Sequence, residues 1–162
     1  MDIINYRPIG IIHSPFKHLE GTPIQAIGGS GEKAQVEILP EFVAGLQDLD
    51  GFSHIMLFYH CHLAKPYRLR VTPFLDDTQR GLFATRSPAR PNPIGFSMVR
   101  LIKIDNQILH IEDIDIVDRT PLLDIKPLVP EFDTRAVDRI GWLRKKAANL
   151  KKTVADGRFG SQ

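Results

Sequence analysis

Two arginines in a proline-stiffened loop are the first residues here whose types and spacing suit chemistry. The stretch GLFATRSPARPNPIG, residues 81–95, places Pro88, Pro91, Asn92 and Pro93 within six positions, with Arg86 and Arg90 among them. Proline fixes φ and removes a backbone donor, so such a loop is stiff. A stiff loop that carries guanidinium groups reads anions well, because pre-organisation lowers the ordering cost. Composition alone equally allows a structural turn whose arginines pair with Asp76 or Asp77.

A second stretch, DIDIVDRTPLLDIKP, residues 113–127, reads as a strand end entering a proline-limited turn. It crowds Asp115, Asp118, Asp124 and Lys126 together. Carboxylates at a strand end can accept hydrogen bonds from hydroxyl or amino groups, or act as bases. The plainer role is a solvated edge with local ion pairs, each worth ~0–1 kcal/mol.

His60 and His62 stand two apart, on one face of a strand, with Cys61 pointing the other way. A zinc site needs at least three converging ligands, and His54 is the only obvious third. No metal is expected. His62 is expected to contact a ligand or a buried acceptor, and Cys61 to be a small buried hydrophobe. No glycine-rich dinucleotide fingerprint, phosphate-binding loop or nucleophile elbow is present.

The elements that must hold these residues read mostly as strands. Pro8–His13, Ala34–Leu39, His54–Cys61, Met98–Ile104 and Ile108–Val117 are apolar or alternating runs bounded by turn residues, with Asp105-Asn106 between the last two. Phe42, Leu46 and Leu49 predict a short helix after Pro40. Val137, Ile140, Leu143, Ala147 and Leu150 predict a C-terminal helix capped by Asp133 or Thr134. Short strands without βαβ alternation predict an all-β, barrel-like fold with one short helix and a C-terminal helix. The expected division is a barrel over 1–134 and a basic tail over 135–162.

Length and composition set the frame. The 162 residues suit one domain; 43% are hydrophobic and 25% charged, with a net charge of +2. A wholly basic nucleic-acid binder is excluded, a local basic patch is not. Eight basic residues against Asp138 and Asp156 make residues 135–162 net +6, a candidate polyanion contact or a solubilising helix. The lone cysteine, the lack of a signal-peptide pattern and the short apolar runs predict a cytoplasmic protein without membrane association.

The strings quoted above, with IGIIHSPF at residues 9–16 and Phe52-Ser53-His54, resemble the TsaA-like (TrmO-type) family. The resemblance covers roughly residues 6–130 in four blocks. It implies a small β-barrel homodimer that binds S-adenosyl-L-methionine near the dimer interface. It implies methylation of N6 of threonylcarbamoyladenosine, beside the tRNA anticodon. Carried onto this chain, the donor touches Ala26, Ile27, Gly28, His62, Leu63, Arg86, Met98, Ile114, Asp115, Ile116 and Val117.

The acylated N6 of that substrate must lose its proton. Asp118 and Asp124 are the expected bases, with Lys126 or Arg86 stabilising negative charge. Asp115 suits the donor's ribose or amino group, and Arg90 or Arg119 the threonyl carboxylate. Bacterial members carry a further C-terminal domain, so the basic tail here is expected to contact tRNA in its place. The alternatives are a methyltransferase of the same scaffold acting on another RNA or small molecule, and a non-catalytic nucleoside- or RNA-binding module.

Overall fold

Alternation along the strands closes a barrel. The computed structural model describes residues 2–24, 31–74, 76–145, 155–156 and 159. Its strands are β1 (Gly10–His13), β2 (Lys33–Ile38), β3 (His54–His60), β4 (Arg70–Val71), β5 (Arg80–Gly81), β6 (Ile94–Asp105), β7 (Ile108–Glu112) and β8 (Thr120–Pro127). Six of them form a closed antiparallel barrel in the order β1-β2-β7-β6-β3-β8, and β4 and β5 make a separate two-stranded ribbon. Closure leaves the barrel no free edge for another chain to pair with.

Every second residue points inward. Ile12, Val36, Ile38, Ile55, Leu57, Val99, Leu109, Ile111 and Leu122 fill the interior and are almost fully buried. Each such aliphatic side chain contributes about 1.5–3 kcal/mol relative to exposure. The β6–β7 hairpin turns at Asn106, which adopts φ +53°, a conformation asparagine tolerates better than most residues.

Several expectations shift in detail. Residues Pro40–Leu46 form a 3-10 helix rather than an α-helix, and Phe42, Val43, Leu46 and Leu49 close one end of the core. Strand β7 stops at Glu112, because Asp113 takes φ +66° and turns the chain out of the ladder. The segment 114–117 then runs as irregular backbone with Ile114 and Ile116 buried, so the alternation outlasts the strand. Residues 120–127 are a full strand, not a turn, with Pro121 and Pro127 near its ends, where a missing donor is tolerated.

The predicted continuous C-terminal helix is not formed over the described residues. A single α-helical turn, α1 (Pro130–Asp133), ends at Thr134, residues 134–140 are irregular, and Gly141–Lys145 make a 3-10 turn. Gly141 adopts φ +58°, which interrupts the continuous α-helix expected from Val137 onward. Residues 146–150, the rest of that expected helix, lie outside the described residues. No helix of the described residues is long and apolar enough to cross a membrane.

Candidate active site

The proline-rich loop, the chain after β3 and the 114–117 segment meet at one end of the barrel around a cavity of about 830 Å³. That lies within the usual range for small-molecule sites. Arg86, Ser87 and Arg90 come from the loop, Cys61, His62 and Leu63 from the end of β3, and Asp115, Ile116 and Val117 from the segment that carries on after β7. Separations of tens of residues in sequence thus collapse into one wall. The loop is pinned from within. Arg90 Nη1 donates to the Thr85 carbonyl at 3.0 Å, and its guanidinium stands 5.5 Å from the Phe83 ring centroid.

Asp115 is the only carboxylate among the described residues that line this cavity. Ser97 Oγ donates to its Oδ1 at 2.6 Å, and Ser97 Oγ is also 3.0 Å from the Tyr59 hydroxyl. Burial pushes the Asp115 carboxyl up to about 6, against the opposing pull of Ser97 and of the Arg86 charge. Burial, reinforced by Asp115, holds the Tyr59 phenol far above its ordinary range. Burial and the same carboxylate push the Cys61 thiol up to about 11, so it stays protonated and is no thiolate nucleophile at neutral pH. His62 is held below its usual value by burial and by neighbouring His60, and is therefore neutral at pH 7.

The sign of the Asp115 shift gives a stability test. The unfolded carboxyl releases its proton near 3.8, the folded one near 6, so the native state holds the proton longer. Stability from this group is therefore present at low pH and lost as pH rises from about 4 to about 6. Chemical denaturation followed across that window is expected to show this decline, and Asp115→Asn to flatten it. An unchanged slope in the variant would refute the assignment.

Ser87 has a buried hydroxyl with no hydrogen-bond partner among the described residues. Burying an unpaired hydroxyl costs about 1–3 kcal/mol. Ser87 lies in the cavity lining. A further polar feature is Thr120, whose Oγ1 donates to the Val117 carbonyl at 2.7 Å and lies 3.4 Å from His62 Nδ1.

The other sequence-derived candidates lie elsewhere. Asp118 accepts from the Ser14 amide at 3.0 Å and pairs with Lys17 at 2.7 Å. Burial alone would raise its carboxyl, but Lys17, the Ser14 N–H and His13 together hold it below the usual range. Asp124 and Lys126 pair with each other at 2.6 Å on the outer side of β8, opposite Phe58 and Met56. A strand advances about 3.3 Å per residue, so Lys126 lies ~20 Å along β8 from Thr120 and the cavity.

The four charged groups are therefore not gathered at one turn, because 120–127 is extended. Met98 lies on the outer side of β6 beside Met56 and is half-exposed, Arg119 sits at an exposed turn with φ +62°, and Ile114 is fully buried in the core. Ala26, Ile27 and Gly28 lie outside the described residues.

Residues 11–134 match the tRNA-methyltransferase O N-terminal domain. The chain belongs to this family. The matching sequence runs through both arms of the cavity, the 86–90 loop and the 114–117 segment.

A probable S-adenosyl-L-methionine-binding protein of Pyrococcus abyssi is 56% identical over 159 residues, covering 98% of this chain and 86% of that one. A tRNA (adenine(37)-N6)-methyltransferase of Mus musculus is 34% identical over 135 residues, covering 79% of this chain but 31% of its own length. The crystal structure of TrmO from Pseudomonas aeruginosa superposes with a TM-score of 0.73 at 36% identity, over 87% of this chain and 63% of that one. This chain therefore spans less than two thirds of that solved relative.

Sequence reasoning reached Arg86, Arg90, His62, Leu63 and Asp115–Val117, all of which line the cavity. It missed Tyr59, Ser87, Ser97 and Thr120. The available signal was a polar residue at an inward strand position. Ser97 falls in register between the exposed Phe96 and Met98, where the alternation calls for an apolar side chain. It also missed Trp142, Leu143, Ala155 and Phe159 of the tail, which line the cavity as well.

Proposed function

We propose that this chain is a methyltransferase that uses S-adenosyl-L-methionine to methylate N6 of threonylcarbamoyladenosine beside the tRNA anticodon. The observation that carries the reading is the cavity itself. In a chain of this family it joins a half-buried carboxylate, an arginine on a stiff loop and a buried hydroxyl without a partner among the described residues. An amino-acid-bearing nucleoside fits that donor set: it has a carboxylate for a guanidinium, an ammonium or ribose hydroxyl for a carboxylate, and acceptors for a serine.

When bound, S-adenosyl-L-methionine supplies a methyl group on a positively charged sulfur. Positioning dominates such an in-line displacement. In our reading Arg86 and Ser87 orient the polar end of the ligand. Asp115 takes the N6 proton on the carboxylate oxygen that Ser97 does not occupy, and Tyr59 holds Ser97 in place. Neutral His62 adds no positive charge beside a cationic donor. Arg90 reads the threonyl carboxylate with the donors left over from Thr85, and Arg119 reaches it only from an exposed turn.

The outer face of β6 exposes Ile94, Phe96 and Met98, and Ile94 and Phe96 also line the cavity. We place the homodimer contact there. Across such an interface Met98, Asp124 and Lys126 would approach the partner's cavity, which is how their expected roles fit this geometry. The setting proposed is the cytoplasm, where tRNA is the partner.

One observation favours a second reading, a nucleoside-binding module without turnover: relatives such as the one from Pyrococcus abyssi carry names for binding alone. Calorimetric titration with S-adenosyl-L-methionine, followed by turnover on tRNA bearing threonylcarbamoyladenosine, separates the two. We expect about one site per chain and a mass gain of one methyl on the modified nucleoside. With Asp115 as base, the single-turnover rate rises as pH passes about 6 and levels off above it. Binding without methyl transfer would leave the second reading standing, and no binding would overturn both.

A further inference from the structure

The C-terminal segment is bound to the cavity rim at several points, although the family match ends at residue 134. Trp142 Nε1 donates to the Ala84 carbonyl at 2.8 Å, which ties the indole to the base of the arginine loop. Arg80 stands 5.7 Å from the indole centroid and is itself held by the buried Asp76 through Nε at 2.8 Å. Farther on, Ala155 exchanges two hydrogen bonds of 2.8 Å with the 21–22 backbone, donating to Thr22 and accepting from Gly21. The Phe159 carbonyl accepts from the Lys65 amide at 3.0 Å, and its ring meets Phe74 edge-on, centroids 5.0 Å apart.

These contacts bring described tail residues to the cavity, where Trp142, Leu143, Ala155 and Phe159 line it, none of the four ionisable. Arg86 and Asp115 line the same cavity. Charged groups and flat aromatic surface thus share one lining, which suits a nucleoside ligand with a flat, neutral base and a charged end.

From this arrangement we infer that Trp142, Leu143, Ala155 and Phe159 form a wall of the ligand site, with Trp142 and Phe159 contacting an adenine ring. The inference rests on the cavity being the donor site proposed above. It gives the tail a role beside the phosphate contact expected of its basic residues. The adenine could belong to the methyl donor or to the target nucleoside; both present the same π-face, and aromatic side chains stack on either.

Trp142 is the chain's only tryptophan, so its emission reports on this wall directly. The unmodified protein is titrated with S-adenosylhomocysteine, adenosine and methionine separately, by calorimetry and by tryptophan emission in parallel. We expect S-adenosylhomocysteine and adenosine to change the emission along the calorimetric isotherm, and methionine not to. An emission change seen only with an anticodon stem-loop oligonucleotide would assign the wall to the target adenine. Calorimetric binding of every ligand with unmoved emission would overturn the inference while sparing the donor site.

Absence of heat with S-adenosylhomocysteine and S-adenosyl-L-methionine alike would overturn the donor-site reading and this inference with it. Phe159→Ala gives a second readout. It is expected to weaken the adenine-bearing ligand about 10-fold, as loss of one stacking contact does. Unchanged affinity in a variant with native amide circular dichroism would count against the wall.

Discussion

Asp115→Asn is expected to slow methyl transfer by about 100- to 10,000-fold, the range over which a positioned general base contributes. Asparagine keeps the shape and still accepts the Ser97 hydroxyl at the position of Oδ1, 2.6 Å away in the native chain. It removes only the negative charge and the capacity to take a proton. Donor affinity should therefore change little, and kcat should carry the loss. The remaining rate should also lose its dependence on pH near 6, where the native carboxyl titrates.

Quench-flow with tRNA bearing threonylcarbamoyladenosine measures the rate, and calorimetry the affinity. A variant with native turnover would remove Asp115 from the chemistry. Asp118→Asn and Asp124→Asn sharpen the comparison. Their carboxylates are engaged with Lys17 and Lys126, away from the cavity lining. A full loss in either would transfer the base role to that residue and, for Asp124, would imply a neighbouring copy of the chain.

Gly95→Ala should be strongly damaging, because the Tyr59 ring lies against the glycine where a Cβ would have to be. The obstacle is the edge of a ring, not the end of a flexible chain. The ring cannot swing aside without breaking the contact between its hydroxyl and Ser97 at 3.0 Å, and Ser97 in turn positions Asp115. Overpacking of this kind costs about 1–3 kcal/mol. In a domain of this size each kcal/mol lowers the thermal midpoint by about 2–4 °C.

Activity should fall further than stability explains, since the displaced ring disturbs the proton acceptor. Gly81→Ala is the control, because nothing lies within 4 Å of the added methyl. Equal thermal midpoints and equal rates in the two variants would show that the ring contact has no such role. Tyr59→Phe separates packing from hydrogen bonding: it keeps the ring over Gly95 and frees only Ser97.

The sequence by itself determined the barrel and half of the site. Alternating apolar residues marked five of the six barrel strands, because a closed sheet buries one face and a period of two follows directly. Stiffness and charge marked the Arg86–Arg90 loop, since proline acts on its own residue and needs no tertiary partner. Asp115 was marked as one of several carboxylates near a strand end, suited to the donor's ribose or amino group.

The tertiary structure alone decided which charges share the cavity. Asp118 and Asp124 look equivalent to Asp115 in the string, but a left-handed residue at Asp113 and an extended β8 send the three carboxylates in different directions. Periodicity in the tail suggested a helix because Val137, Ile140 and Leu143 fit one. Gly141 in a left-handed conformation and the docking of Trp142 on Ala84 won instead. Backbone propensity is a matter of tenths of a kcal/mol per residue, and tertiary contacts readily override it. The arrival of Trp142 and Phe159 at the cavity depended on long-range contacts, which no local pattern in the sequence announces.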